Sequence, residues 1–170
     1  MASKADGLKQ CPLFADLSSD EIQKVAGVVK EKSLQEGSTI FTENMAGKSL
    51  FVIRSGSVKI SKMLGEGDER TLALLGPGDC FGEMALVDGG PRSTSAVVVK
   101  KAEVLTLDKK DFQTLCEGNP KLGYKLTINL ARVMVKRLRG AQEKLQAALE
   151  YALKRGAPAE KGSSLDVPIS

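Results

Sequence analysis

The sequence predicts an α+β chain in which a small antiparallel sandwich or barrel follows one helix and precedes two more, the last of them long. Three observations carry this. Apolar residues recur at helical spacing after Ser18; short apolar or alternating runs separated by glycine turns fill residues 34 to 107; and a 3-4 apolar spacing persists from Ala131 to Ala152. At 170 residues the chain has the size of roughly one domain.

Pro12, Leu13 and Phe14 are apolar, so residues 1–17 are read as an N-terminal lead-in that packs the chain end. Ser18 is a good N-cap, Asp20 and Glu21 suit a first helical turn, and Ile22, Val25, Ala26 and Val29 share a face, which predicts a helix within residues 18–32. The runs STIF, KSLFVIR, SVKISKM, RTLALL, STSAVVV and AEVLTL, parted by turns at Gly37, Gly47, Ser55-Gly56, Gly65 to Asp68 and Gly76 to Asp79, predict about six to eight antiparallel strands. Asp108 is the expected cap of a short helix that Asn119-Pro120 breaks, and Pro120 fits the first position of a helix reaching about Arg155. Ala131, Met134, Leu138, Ala141, Leu145, Ala148 and Ala152 lie along it as a heptad seam. Residues 156–170 read as a disordered tail.

Composition removes several functions. The chain has no histidine, which excludes imidazole-based triads and His-containing zinc sites. Cys11, Cys80 and Cys116 are too far apart for CxxC chemistry, and no disulfide framework is expected. There is no apolar run of the ~18 residues a membrane span needs, and MASKADGLKQ lacks a signal peptide's apolar stretch, so a cytoplasmic protein is expected. Net charge is −2 over residues 1–119, +7 over 120–155 and −1 over the tail. The basic segment has only Tyr124 and Tyr151 as aromatic residues for base stacking, so a solvated helix face is preferred and direct nucleic-acid binding is not expected.

The informative stretch is FGEMALVDGGPRST, residues 81–94. Gly82 lets a ligand approach the backbone, and the free N–H groups of a turn over Glu83 to Val87 would favour an anion. Gly89-Gly90-Pro91 returns the chain so that Arg92, placed on the next strand, faces the same anion with its planar fork. Glu83 needs a donor. A cyclic ribonucleotide meets these needs together: Arg92 neutralises the phosphate, Glu83 accepts from the ribose 2′-hydroxyl, and Ser93 completes the cradle.

This stretch resembles the phosphate-binding cassette of cyclic nucleotide-binding domains, shared by catabolite-activator-type regulators, regulatory subunits of cAMP-dependent protein kinase and nucleotide-gated channels. The order of elements agrees over residues 8 to 155. The resemblance implies a jelly-roll-like antiparallel β-roll carried with the first helix by residues 18–119, the cassette at 81–94, and a lid and dimerisation helix at 120–155. It implies ligand contacts from Phe81, Gly82, Glu83, Met84, Ala85, Arg92, Ser93 and Thr94, with Ile60, Leu72 and Ala73 as weaker candidates for the base pocket. Arg137, Leu138, Ala141 and Gln142 resemble the lid, with Arg137 able to reach Glu83. Two departures concern the base: Arg92 precedes Ser93-Thr94-Ser95, and Ala141-Gln142 replaces the hydroxyl pair used by cAMP-specific bacterial activators. The sequence therefore does not separate cAMP, cGMP and a cyclic dinucleotide.

The expected protein is a bacterial, non-catalytic sensor of cAMP or cGMP, without cofactor or metal, forming a homodimer through residues 131–152 and read by a downstream protein partner. Competing readings are an internal Glu83–Arg92 ion pair in a ligand-free interaction module, a seam that packs on its own roll, and the sensor portion of a transcription regulator. A catabolite-activator-type regulator would carry a helix-turn-helix after the long helix, where only a short tail follows here.

Overall fold

The computed structural model describes residues 3–65 and 67–155, in two compact units, one ending at Val133 and the other beginning at Met134. In the first, α1 (Lys4–Lys9), a 3-10 turn (Pro12–Phe14) and α2 (Ser19–Val28) precede β1 (Lys30–Leu34), β2 (Thr39–Phe41), β3 (Ser49–Met63), β4 (Glu69–Leu75) and β5 (Cys80–Phe81). Then come α3 (Met84–Val87), β6 (Ser95–Asp108), α4 (Lys109–Gly118) and α5 (Pro120–Lys154), which continues into the second unit. Among the described residues no helix is long and apolar enough to cross a membrane.

The N-terminal segment is more ordered than a lead-in. Ser3 Oγ accepts from Asp6 N at 3.2 Å and Asp6 Oδ2 accepts from Ser3 N at 3.0 Å, a reciprocal cap that starts α1. Leu8, Cys11, Leu13 and Phe14 are buried behind it. Ser18 caps α2 as expected, exchanging bonds with Glu21 at 3.3 and 2.8 Å.

The helix lies within the expected span and ends at Val28; Val29 is extended, and Lys30 to Leu34 form β1, a strand the sequence did not predict. Pairing with β6, from Lys30↔Thr106 to Leu34↔Ala102, supplies ladder hydrogen bonds that override the helical preference of Lys and Glu.

The six strands form one antiparallel sheet, with β1, β6, β3 and β4 in hydrogen-bonded order, β2 on β6 and β5 on β3. The expected turn at Ser55-Gly56 is instead a bulge within the continuous β3, and the runs at residues 93–99 and 102–107 join as β6. Register shifts around Ser55 and Ser57 bend the β3–β6 pair. Gly56, at φ 83°, allows it, since a Cβ there would lie 2.1 Å from Lys101 O. The roll closes on Phe41, Phe51, Ile53, Val58, Phe81, Ala96, Val98, Ala102 and Val104.

α5 begins at Pro120 as expected. Within the first unit it buries Leu122, Leu126, Asn129 and Leu130, and Lys125 Nζ bonds Glu21 Oε2 at 2.7 Å. In the second unit Leu138, Leu145, Leu149 and Leu153 are exposed. The expected tail lies outside the described residues.

Candidate functional site

β5 pairs with β3 through Phe51↔Phe81 and Val52↔Cys80, which sets the start of the cassette against the centre of the roll. Gly82 follows at φ 75°, where a Cβ would come within 2.5 Å of Arg92 Nη1 and 3.0 Å of Ser49 O. The close approach therefore requires glycine. Glu83 is the N-cap residue of α3 and makes no side-chain cap bond, so its carboxylate is not engaged by the helix start. α3 is a single turn, whose first N–H groups have no acceptor within the helix. Ala85 and Leu86 are buried, whereas Met84 and Val87 are exposed.

Arg92 and Glu83 are two of the five buried polar or charged residues among those described. Arg92 lies in the loop before β6 rather than on that strand, fixed by its own N–H to Met45 O at 2.7 Å and by Asn44 N–H to its carbonyl at 2.8 Å. Its guanidinium donates from Nη1 to Gly82 O at 3.1 Å and from Nη2 to Ser49 O at 2.8 Å. Burial pushes the guanidinium pKa down and the nearby charge of Glu83 opposes that shift. The buried Nε has no hydrogen-bond acceptor among the described residues. A buried cation with an unused donor fits an anionic ligand.

Ser93 Oγ lies 3.8 Å from Met84 Sδ, and Ser93 O accepts from Lys62 Nζ at 3.0 Å, so the end of the cassette is pinned to β3. Lys62 is itself paired with Glu43 at 2.6 Å, and that pairing holds the Glu43 carboxyl below its ordinary range. Thr94 is half-buried just before β6. Ile60 pairs with Ala73 on one side and Ala96 on the other. Leu72 is the extra residue of a bulge between Ala73 and Thr71, 43% exposed.

Phe81 to Thr94 thus belong to one region of the first unit, and Ile60, Leu72 and Ala73 to its β3–β4 ladder. Arg137, Leu138, Ala141 and Gln142 belong to the second unit. The sequence did not mark Gly47, Ser49, Phe41 or Phe51 as site residues. A Cβ on Gly47 would meet Ala85 Cβ at 2.6 Å and Arg92 Nε at 3.2 Å. Phe41 and Phe51 floor the guanidinium, at 4.2 and 5.7 Å from its carbon. Glycine before a strand was a visible signal; a backbone carbonyl that orients an arginine has none. No group of three or more metal-ligating side chains occurs among the described residues.

The sheet and this loop form an antiparallel roll with a buried arginine at its single-turn helix. The chain belongs to the cyclic nucleotide-binding domain family, whose model matches residues 31–119. It is 38% identical over 138 residues to the Cyclic AMP receptor protein of Thermus thermophilus, covering 81% of this chain and 62% of that protein. It is 35% identical over 114 residues to a cAMP-dependent protein kinase regulatory subunit of Yarrowia lipolytica, covering 66% of this chain and 30% of the other. Among solved structures it resembles the Thermus thermophilus Catabolite Activator Protein, with TM-score 0.72 and 35% identity over 86% of this chain and 72% of that one. A cyclic nucleotide-binding domain from Methylobacillus flagellatus matches with TM-score 0.77 and 26% identity, covering 85% and 81%. The chain spans 62% and 60% of the two bacterial receptor-type relatives it matches.

Proposed function

We propose that this chain is a non-catalytic sensor of a cyclic nucleotide, cAMP or cGMP, which relays binding through its C-terminal helix. The observation that carries the reading is Arg92: a buried cation, held by two backbone carbonyls, with its Nε unpaired beside the buried Glu83. In this reading Arg92 meets the cyclic phosphate, with N–H groups from Gly82 to Ala85 and the hydroxyls of Ser93 and Thr94 around it. Glu83 accepts from the ribose 2′-hydroxyl. Phe81 packs beneath the cassette, and Ile60, Leu72 and Ala73 face the purine. Arg137, Leu138, Ala141 and Gln142 act as the lid, and residues 131–152 pair with a second copy to form a homodimer whose state a downstream protein partner reads. Binding then shifts an equilibrium between two helix positions.

A second reading makes this chain the sensor portion of a transcription regulator. It is favoured by the similarity to proteins named a cyclic AMP receptor protein and a CRP-like cAMP-activated global transcriptional regulator, of which the chain spans about three fifths.

Thermal unfolding against a ligand panel tests the first reading. cAMP or cGMP should raise the unfolding midpoint with concentration while the linear 5′-monophosphates do not, because a ligand bound only by the folded state stabilises it by mass action. An unchanged midpoint at millimolar cyclic nucleotide would overturn it.

A further inference from the structure

Two hydrogen bonds run in series from the cassette to Asp108 at the start of α4, and a third ties Asp108 to β1. Arg92 Nη2 donates to Ser49 O at 2.8 Å; the Ser49 hydroxyl donates to Asp108 Oδ1 at 2.6 Å; and Lys30 Nζ donates to Asp108 Oδ2 at 2.5 Å. Asp108 occupies the N-cap position of α4, where an aspartate ordinarily accepts from the helix's own N–H groups. Its side chain makes no such bond and turns to β3 and β1 instead.

Lys109 adds one backbone bond and one close approach at the same place. Its N–H donates to Lys48 O at 2.8 Å, and its ammonium lies so near the cassette loop that a Cβ on Gly89 would come within 2.7 Å of it. The first turn of α4 thus touches the cassette loop directly and Arg92 through Ser49.

We propose that Ser49 is a positioning residue for Arg92, and that Arg92, Ser49, Asp108 and Lys30 form one series coupling the guanidinium's orientation to the first turn of α4. Ser49 and Asp108 are the terminal pair of the β3–β6 ladder, where backbone pairing alone restrains the chain least. The hydroxyl-to-carboxylate bond holds that end and so sets where Ser49 O stands. With Nη1 on Gly82 O and Nη2 on Ser49 O, those two carbonyls decide which way the unpaired Nε points. The consequence for ligand affinity rests on the cyclic nucleotide reading; the coupling itself does not.

The test is a nuclear magnetic resonance measurement of the Arg92 Nε–H shift and its hydrogen-exchange rate in the ligand-free protein, with the Lys109 amide followed alongside. Asp108→Ala, which removes no atom touching Arg92, should speed exchange at Arg92 Nε–H severalfold, as should Ser49→Ala. The double variant should do no more than either alone, and Ser49→Thr should restore the wild-type rate. Ser49→Ala with its Ser49→Thr rescue decides the matter if Asp108→Ala does not fold. In a calorimetric titration with cAMP and cGMP, both alanine variants should lose a common factor of about two- to tenfold in affinity, the scale of one such hydrogen bond. An Arg92 signal unchanged in Ser49→Ala, or effects of the two variants that add, overturns the proposal. An Arg92 that responds to Asp108→Ala in a protein that binds no cyclic nucleotide would uphold the coupling and remove the sensor reading.

Discussion

The guanidinium carbon of Arg92 stands 4.2 Å from the centroid of the Phe41 ring. Phe41, Phe51 and Phe81 pack on one another with centroids 5.1 to 5.9 Å apart, forming an apolar floor that keeps water from the cation. A charge in that setting is costly unless fully bonded, which is why Gly82 O and Ser49 O converge on it.

Removing that cation should cost ligand affinity. A charge-assisted hydrogen bond contributes about 1.5 to 3 kcal/mol, so Arg92→Ala should weaken cyclic nucleotide binding by roughly tenfold or more. Arg92→Lys should recover little, because an ammonium cannot serve two carbonyls and a ligand with a planar fork. Calorimetric titration of variants that retain the wild-type circular dichroism spectrum checks both; unchanged affinity in Arg92→Ala would reject the assignment.

If Glu83 accepts from the ribose 2′-hydroxyl, the site discriminates ribose from deoxyribose. A 2′-deoxy cyclic nucleotide should bind wild type at least ~1 kcal/mol more weakly than the ribo form, and the gap should close in Glu83→Ala. Equal wild-type affinities for the two ligands would reject the role.

The cassette's residue order, the Ser18 cap, the Pro120 helix start and most strand positions were legible because they depend on local chemistry. β1 was not: Lys30, Glu31 and Lys32 have helix-forming side chains and become a strand only by pairing with Thr106, Leu105 and Val104 far along the chain. Gly56 announced a change of direction, but whether it closes a hairpin or bends one long strand depends on the register of β6 beside it. At the site, Glu83 and Arg92 were visible as side chains. The orientation of Arg92 depends on backbone oxygens of Ser49 and Gly82, which leave no trace in residue type.

Gly56 offers a stability test. At φ 83° with Lys101 O 2.1 Å from its missing Cβ, Gly56→Ala should cost more than the about 1 to 2 kcal/mol of a left-handed alanine, since the β3–β6 bulge must also shift. Gly27 in α2 has nothing within 4 Å of its Cβ position, so Gly27→Ala should be neutral or stabilise by up to about 1 kcal/mol. Urea unfolding of both variants measures the contrast, and equal stabilities would contradict the described bulge.

Acid should loosen the β3–β6 end. The Lys30 ammonium, then the Ser49 hydroxyl, hold the Asp108 carboxyl below its ordinary range. Its contribution to stability is therefore full above the unfolded carboxyl's pKa and lost as pH falls through the lowered folded value. Asp108→Asn should flatten the acid limb of the unfolding midpoint against pH between about pH 5 and pH 2. An acid limb of unchanged slope would contradict this.

Leu138, Leu145, Leu149 and Leu153 are 56 to 61% exposed on α5. If residues 131–152 pair two copies, Leu145→Lys should move the sedimentation coefficient toward that of a monomer and weaken nucleotide binding by the same linkage. Wild-type protein that sediments as a monomer at tens of micromolar, with and without ligand, would contradict pairing.

The central claim is that Arg92 and Glu83 receive a cyclic nucleotide, and one calorimetric titration of the purified protein with cAMP and cGMP tests it most directly. The account predicts saturable binding of at least one of them, one ligand per chain, abolished or weakened at least tenfold by Arg92→Ala. No heat of binding with either ligand at millimolar concentration, or binding that Arg92→Ala leaves intact, would contradict it.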